Sequence, residues 1–198
     1  MTRPAFFLSC MLILLPGVAG AIGAFNPSAN ELAFLPPYCA PKAKTNGNDI
    51  NDPQVAKWSA VLGRKNYLHV HHYCDALLHI FRADMAISDE GKAGHFLNIA
   101  LDNISYSQRN STEDFILLPE MALKKGRVLE RMGQVNEAVI QYQKAIGYKP
   151  DYGPAYAELS DYYVKIGQRE KALEIIHRGL EVVPNYAPLL RRNKELSK

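Results

Sequence analysis

A stretch in the C-terminal half of the chain matches itself at an interval of 34 residues. Met132, Gly133 and Gln134 return as Ile166, Gly167 and Gln168; Ala138 returns as Ala172; Pro150 and Tyr152 return as Pro184 and Tyr186. A fixed interval of this size means that each unit is one supersecondary element, which buries its apolar face only by stacking on a neighbour. Stacks of this kind present an extended concave surface rather than a closed catalytic pocket. The repeat therefore constrains the class of function as well as the fold.

Each repeated residue has a physical task. Gly133 and Gly167 stand where a helix hairpin must turn, and glycine enters the left-handed region at little steric cost. Ala138 with Ala145, and Ala172 with Gly179, lie two turns apart on one face of each second helix, where small side chains let the first helix approach. Leu129, Val139, Tyr142 and Ile146 fill the seam of one unit; Leu159, Tyr163, Ile176 and Leu180 fill that of the other. Pro150 and Pro184 cannot continue a helix, so they set the break before the next unit.

This order of small residues and proline resembles the tetratricopeptide repeat family, with units at 119–152 and 153–186 and a solvating cap helix at 187–198. The resemblance implies an all-α solenoid of helix hairpins. The first-helix glycine of the family is Gly126 in the first unit but Ser160 in the second, and its tryptophan-like position holds Ala122 and Tyr156. The family binds extended peptides or partner helices along its first helices. Carried onto this chain, those positions are Leu123, Lys124, Arg127 and Arg131 in the first unit, and Ala157, Glu158, Asp161 and Lys165 in the second. Tyr162 is a further interface candidate, because tyrosine is enriched where proteins meet, whereas Tyr163 falls at a core position. The Lys and Asn clamp with which some members grip a C-terminal carboxylate has no counterpart here.

The N-terminus reads as a secretory leader over 1–21. A basic start at Arg3 precedes an apolar run from Ala5 to Val18 and small residues at Ala19 and Ala21. Retention of this run as a membrane anchor is the alternative to cleavage. Removing Arg3 from the 23 Lys and Arg leaves 22 against 20 Asp and Glu. No basic block with interleaved aromatic residues argues for nucleic acid, and no second apolar run is long enough to span a bilayer after cleavage. Of the 3 cysteines, Cys39 and Cys74 remain in the mature chain. An even count in an oxidising compartment points to a disulfide, with two buried thiols as the alternative.

Between leader and repeats the pattern weakens. Residues 22–52 read as an extended arm. The segment 53–114 reads as helical, with a short helix from Asp52-Pro53, a longer one over about Tyr67 to Ala86, and another opened by Ser88, Asp89 and Glu90. The last two form a hairpin outside the 34-residue frame, a candidate degenerate repeat. Leu35 to Cys39, His69 to Cys74, Leu117 to Glu120 and Lys149 to Tyr156 together resemble a group of exported bacterial tetratricopeptide proteins without an assigned activity.

His69, His71, His72 and His79 form the one cluster suggestive of a metal site, since imidazole and carboxylate on one helix face suit zinc or copper. The alternative is a polar seam in which His71 pairs with Asp75 while the other histidines bond the N-terminal arm. No nucleophile elbow, zinc-protease helix, phosphate loop or dinucleotide fingerprint occurs. The first expectation is therefore a periplasmic or secreted adaptor, not an enzyme and without a cofactor. It would hold an extended peptide or helix of a partner protein in its groove, within an envelope assembly or secretion system. A metal-binding envelope protein using His69–His79 stands second, and a small enzyme without a recognised motif last.

Overall fold

The computed structural model describes residues 25–44, 49 and 51–198, so the leader expected over 1–21 lies outside the described residues. In chain order the α-helices are α1 (Ala29–Leu32), α2 (Ala40–Ala43), α3 (Pro53–Leu62), α4 (Arg64–Met85) and α5 (Glu90–Arg109). They continue as α6 (Leu118–Arg131), α7 (Val135–Tyr148), α8 (Gly153–Lys165), α9 (Arg169–Val182) and α10 (Ala187–Leu196). A 3-10 turn, Pro37–Cys39, precedes α2, and no strand occurs among the described residues.

The two repeats close in the same way. Gly133 and Gly167 have φ of 76° and 73°. Past each glycine the next amide turns back: Gln134 donates to the Leu129 carbonyl at 2.9 Å, and Gln168 to the Tyr163 carbonyl at 2.8 Å. These bonds satisfy carbonyls that the helix end would otherwise leave open. Inside the hairpins, Ala138, Ala145, Ala172 and Gly179 are all buried.

The departure of Ser160 from glycine has a visible cause. A Cβ at Gly126 would sit 2.6 Å from Tyr142 Cδ1, inside the ring's contact distance. In the second unit the position equivalent to Tyr142 is Ile176, which is narrower, and Ser160 is fully buried there with its Oγ donating to the Ala157 carbonyl at 2.8 Å. Tyr142 in turn donates to Glu130 Oε2 at 2.9 Å, which places its hydroxyl at the edge of the core.

Two apolar cores meet across α6. Met121 and Val128 belong to the core shared with α4, α5 and the arm, while Ala122, Leu123 and Leu129 belong to the one running through α7, α8, α9 and Leu189 of α10. Helix α6 is amphipathic on both flanks, and so the out-of-frame hairpin α4–α5 stacks on the first repeat as the second repeat does.

The arm is not extended throughout, as the sequence suggests. Ser28 caps α1 by a reciprocal capping box with Glu31, and Pro37 starts the 3-10 turn. A disulfide joins Cys39 to Cys74 of α4, with Cα atoms 5.6 Å apart and both residues without solvent exposure. Arg82 of α4 holds Glu31 through two hydrogen bonds, at 2.6 and 3.1 Å. That contact and the Ser28 amide hold the Glu31 carboxyl down at about 2. Asp52 accepts from the Gln54 amide at 2.7 Å and caps α3, whose Trp58 packs edge-on against Tyr38. The arm thus covers the flank of α4 on which a preceding hairpin would otherwise stack.

Candidate protein-binding groove

Helices α4, α6 and α8 border one cavity of about 440 Å³, lined by Ile80, Asp84, Lys124, Arg127, Val128, Glu130, Arg131 and Lys165. Ile80 and Val128 supply the apolar part, and charged side chains supply the rest. Four of the residues anticipated from the repeats, Lys124, Arg127, Arg131 and Lys165, are thereby brought together.

Ion pairs cross from each first helix to the next. Arg131 Nη1 donates to Asp84 Oδ1 at 2.7 Å, linking α6 to α4. Lys165 Nζ donates to Glu130 Oε1 at 3.0 Å, linking α8 to α6. Arg127 of α6 pairs with Glu158 of α8. Arg192 of α10 holds Asp161 of α8 at two points, 2.6 and 2.5 Å.

The ladder repeats with a twist in its charges. Positions 127 and 161 are equivalent in the 34-residue frame, as are 158 and 192, yet one rung reads Arg–Glu and the next Asp–Arg. Were α10 to dock on α6 in place of α8, Arg127 would meet Arg192, and like charges would oppose the pairing.

The remaining anticipated residues sit elsewhere. Leu123 and Ala157 turn into the core, only 3% and 4% exposed, so they support the groove wall without lining it. Tyr162 is a correction as well: it is 9% exposed and packs edge-on against Tyr163, with ring centres 5.5 Å apart. Its equivalent in the first repeat is Val128, which lies between α6 and α4, and Tyr163 is the less buried of the pair. Adjacent residues on a helix point about 100° apart, so a tyrosine beside Asp161 leaves the groove face. Glu158 and Asp161 face the groove side but are bound in the ladder.

Ile80, Asp84, Val128 and Glu130 complete the cavity and were not anticipated. Glu130 was within reach, because the acid before Arg131 lies one position ahead of a groove cation. Asp84 was not, since it plays toward Arg131 the part that Glu130 plays toward Lys165 but belongs to the out-of-frame hairpin.

The sequence profile of the tetratricopeptide repeat family matches residues 119–152, the α6–α7 hairpin with its following turn. The α6–α7 hairpin is a tetratricopeptide repeat. A comparison with curated proteins returns no match. In this tetratricopeptide stack the second hairpin, α8–α9, repeats the glycine turn and buried alanine of the matched one. The hairpin α4–α5 supplies the third wall of the groove.

The histidines occupy the other side of α4. His72 Nδ1 donates to Asn103 Oδ1 at 2.8 Å, and Asn103 Nδ2 donates to Asp75 Oδ2 at 3.0 Å. The pairing expected between His71 and Asp75 is not made. His79 takes that carboxylate, 3.4 Å away, and donates to the Asp75 carbonyl at 2.9 Å. His71 instead donates to the Leu68 carbonyl at 3.0 Å. His71 and His79 each lie four residues from Asp75 on one helix face, and it is the His79 ring that turns to the carboxylate. Burial lowers His79, yet its bonds with Asp75 prevail and hold it above the ordinary imidazole value. Burial, reinforced by His72, pulls His71 down to about 4. Among the described residues no three His, Cys, Asp or Glu side chains converge as metal ligands. The cluster is a polar seam between α4 and α5, not between α4 and the arm.

Proposed function

We propose that this tetratricopeptide protein is an exported adaptor, which holds a segment of a partner protein against the groove formed by α4, α6 and α8. The observation that carries the reading is the cavity of about 440 Å³ on the face shared by the first helices, with apolar Ile80 and Val128 between charged walls. A groove of that size, part apolar and part polar, suits side chains of a peptide or helix laid along it. The ion pairs around it are exposed or half-exposed, so a ligand can exchange with them at little cost.

Export is supported by the leader pattern and by the disulfide, since such bonds persist in oxidising compartments. Among the described residues no helix is long and apolar enough to cross a membrane. An adaptor role within an envelope assembly or secretion system follows from combining export with a protein-binding stack.

A photoreactive amino acid at position 165, in the groove, tests the reading against one at position 140, an exposed site on α7 outside the lining. Irradiation of cells making the full chain is expected to yield a discrete protein adduct from position 165 and none from 140. Adducts from 140 alone would place the interface on the outer helices and overturn the proposal.

A further inference from the structure

Among the four groove cations, three already hold an anion of the chain itself. Arg127 has Glu158, Arg131 has Asp84 and Lys165 has Glu130. Lys124 makes no ion pair among the described residues, although it is half-buried in the same lining. Its equivalent in the second repeat is Glu158, which is turned to Arg127. The groove therefore carries one cation whose charge is not matched locally, beside the partly exposed apolar side chain of Ile80.

We infer that the groove takes an acidic segment of its partner, with a side-chain carboxylate on the Lys124 ammonium and a neighbouring apolar side chain over Ile80. This deepens the groove reading and rests on it. A carboxylate on an ammonium forms a charge-assisted hydrogen bond, stronger than a neutral one. A polyphosphate fits less well, because Asp84 and Glu130 flank the site and would repel a continuous row of negative charge. The site favours a spaced acid in a protein over nucleic acid for that reason. It also differs from a grip on a chain terminus, since a single lysine with apolar neighbours makes no demand for a terminal carboxylate.

The test uses the full mature chain and fluorescein-labelled, C-terminally amidated peptides alternating Leu with Glu, Gln or Lys, read by fluorescence anisotropy. The Glu peptide is expected to bind most tightly and to weaken as salt rises. Lys124→Glu is expected to weaken it by about tenfold or more, and Lys124→Arg to retain it, with the melting temperature of both variants near that of the parent. Equal binding of the Glu and Gln peptides would overturn the inference, as would indifference to Lys124→Glu or tighter binding of an oligothymidylate. A protein adduct at position 165 combined with indifference to Lys124 would remove the acidic ligand and leave the groove standing. Binding that depends on Lys124, without any adduct at 165 in cells, would keep the site chemistry and remove the adaptor role.

Discussion

From α6 to α10 the helices meet through glycine, alanine and ion pairs set at regular intervals. From the arm to α5 they are held instead by a buried disulfide, a two-point Arg82–Glu31 contact and a string of polar side chains, with Asn103 and Asp75 buried and His72 and His79 half-buried. The repeats can rely on nearest-neighbour packing because each hairpin offers the next the same small residues. Among the described residues the hairpin α4–α5 has no such neighbour on its N-terminal side. Short helices with little apolar face, α1 and α2, cover it and are fastened covalently and by charge. One groove is thus built from two regions stabilised by different physics, and each should respond to different perturbations.

The largest expected effect is on the fastened region. Replacing Cys39 and Cys74 together by Ala opens a loop with a sequence separation of 35 residues, and the loop-closure model assigns such a bridge about 3–4 kcal/mol. Denaturant unfolding should show a loss of that order. Native-state hydrogen exchange should place the loosening in the arm and α4 before α8 and α9. Loss spread evenly over all helices would mean that the two regions are not distinct in this way.

The next effect belongs to the periodic region. Gly126→Ser forces a Cβ into the Tyr142 ring and should cost about 1–3 kcal/mol, as overpacked cores do. Adding Tyr142→Ile reproduces the Ser160 and Ile176 combination of the second repeat, and should recover part of the loss despite removing the bond to Glu130. Strict additivity of the two changes in thermal melts would show that the difference between the repeats has another cause.

Acid sharpens the contrast further. Glu31 has its carboxyl pulled down to about 2 from an ordinary value of 4.5, so its contribution is complete above about 4.5 and is lost as pH falls toward 2. The sign is opposite for His79, which is held above the usual 6.5. Its contribution is complete below that value and disappears as pH rises through the raised one. Proteolysis of the arm should therefore increase between pH 4.5 and 2 in the parent, and this increase should be missing in Glu31→Gln. An unchanged pH profile in that variant would mean that the Arg82 contact does not hold the arm.

How much of this was legible in the chain follows the same division. The hairpins α6–α7 and α8–α9, their glycine turns and the cap helix α10 follow from residues such as Gly133, Gly167 and Pro188, where one local requirement has one cheap solution. Helix α3 was equally plain, because Asp52 and Pro53 form a cap with a mechanism. The groove was half legible. Lys124, Arg127, Arg131 and Lys165 follow from the repeat frame, but Asp84 and Ile80 come from α4, whose alignment to α6 is set by tertiary packing and leaves no period. Which cations keep their charge available was not legible at all, since Arg127 and Arg131 find partners 31 and 47 residues away. Burial of Tyr162 was missed because an apolar or aromatic residue next to a charged one gives no sign of which neighbour it packs against.

The smallest expected effect concerns the ladder itself. Arg127→Ala or Asp161→Ala should each change stability by less than about 1 kcal/mol, as exposed pairs do. Exchanging the rung, Arg127→Glu with Glu158→Arg, should restore what either reversal loses alone. A double-mutant cycle with no coupling would leave the charge alternation without a role in ordering the helices.

The claim that α4 and both repeats present a single binding face is tested most directly by hydrogen exchange of the mature protein with and without the protein crosslinked from position 165. Binding is expected to slow exchange jointly around 80–84 of α4, 124–131 of α6 and 158–165 of α8, while α7 and α9 change little. Slowing confined to α7 and α9, or to the repeats with α4 unaffected, would contradict it.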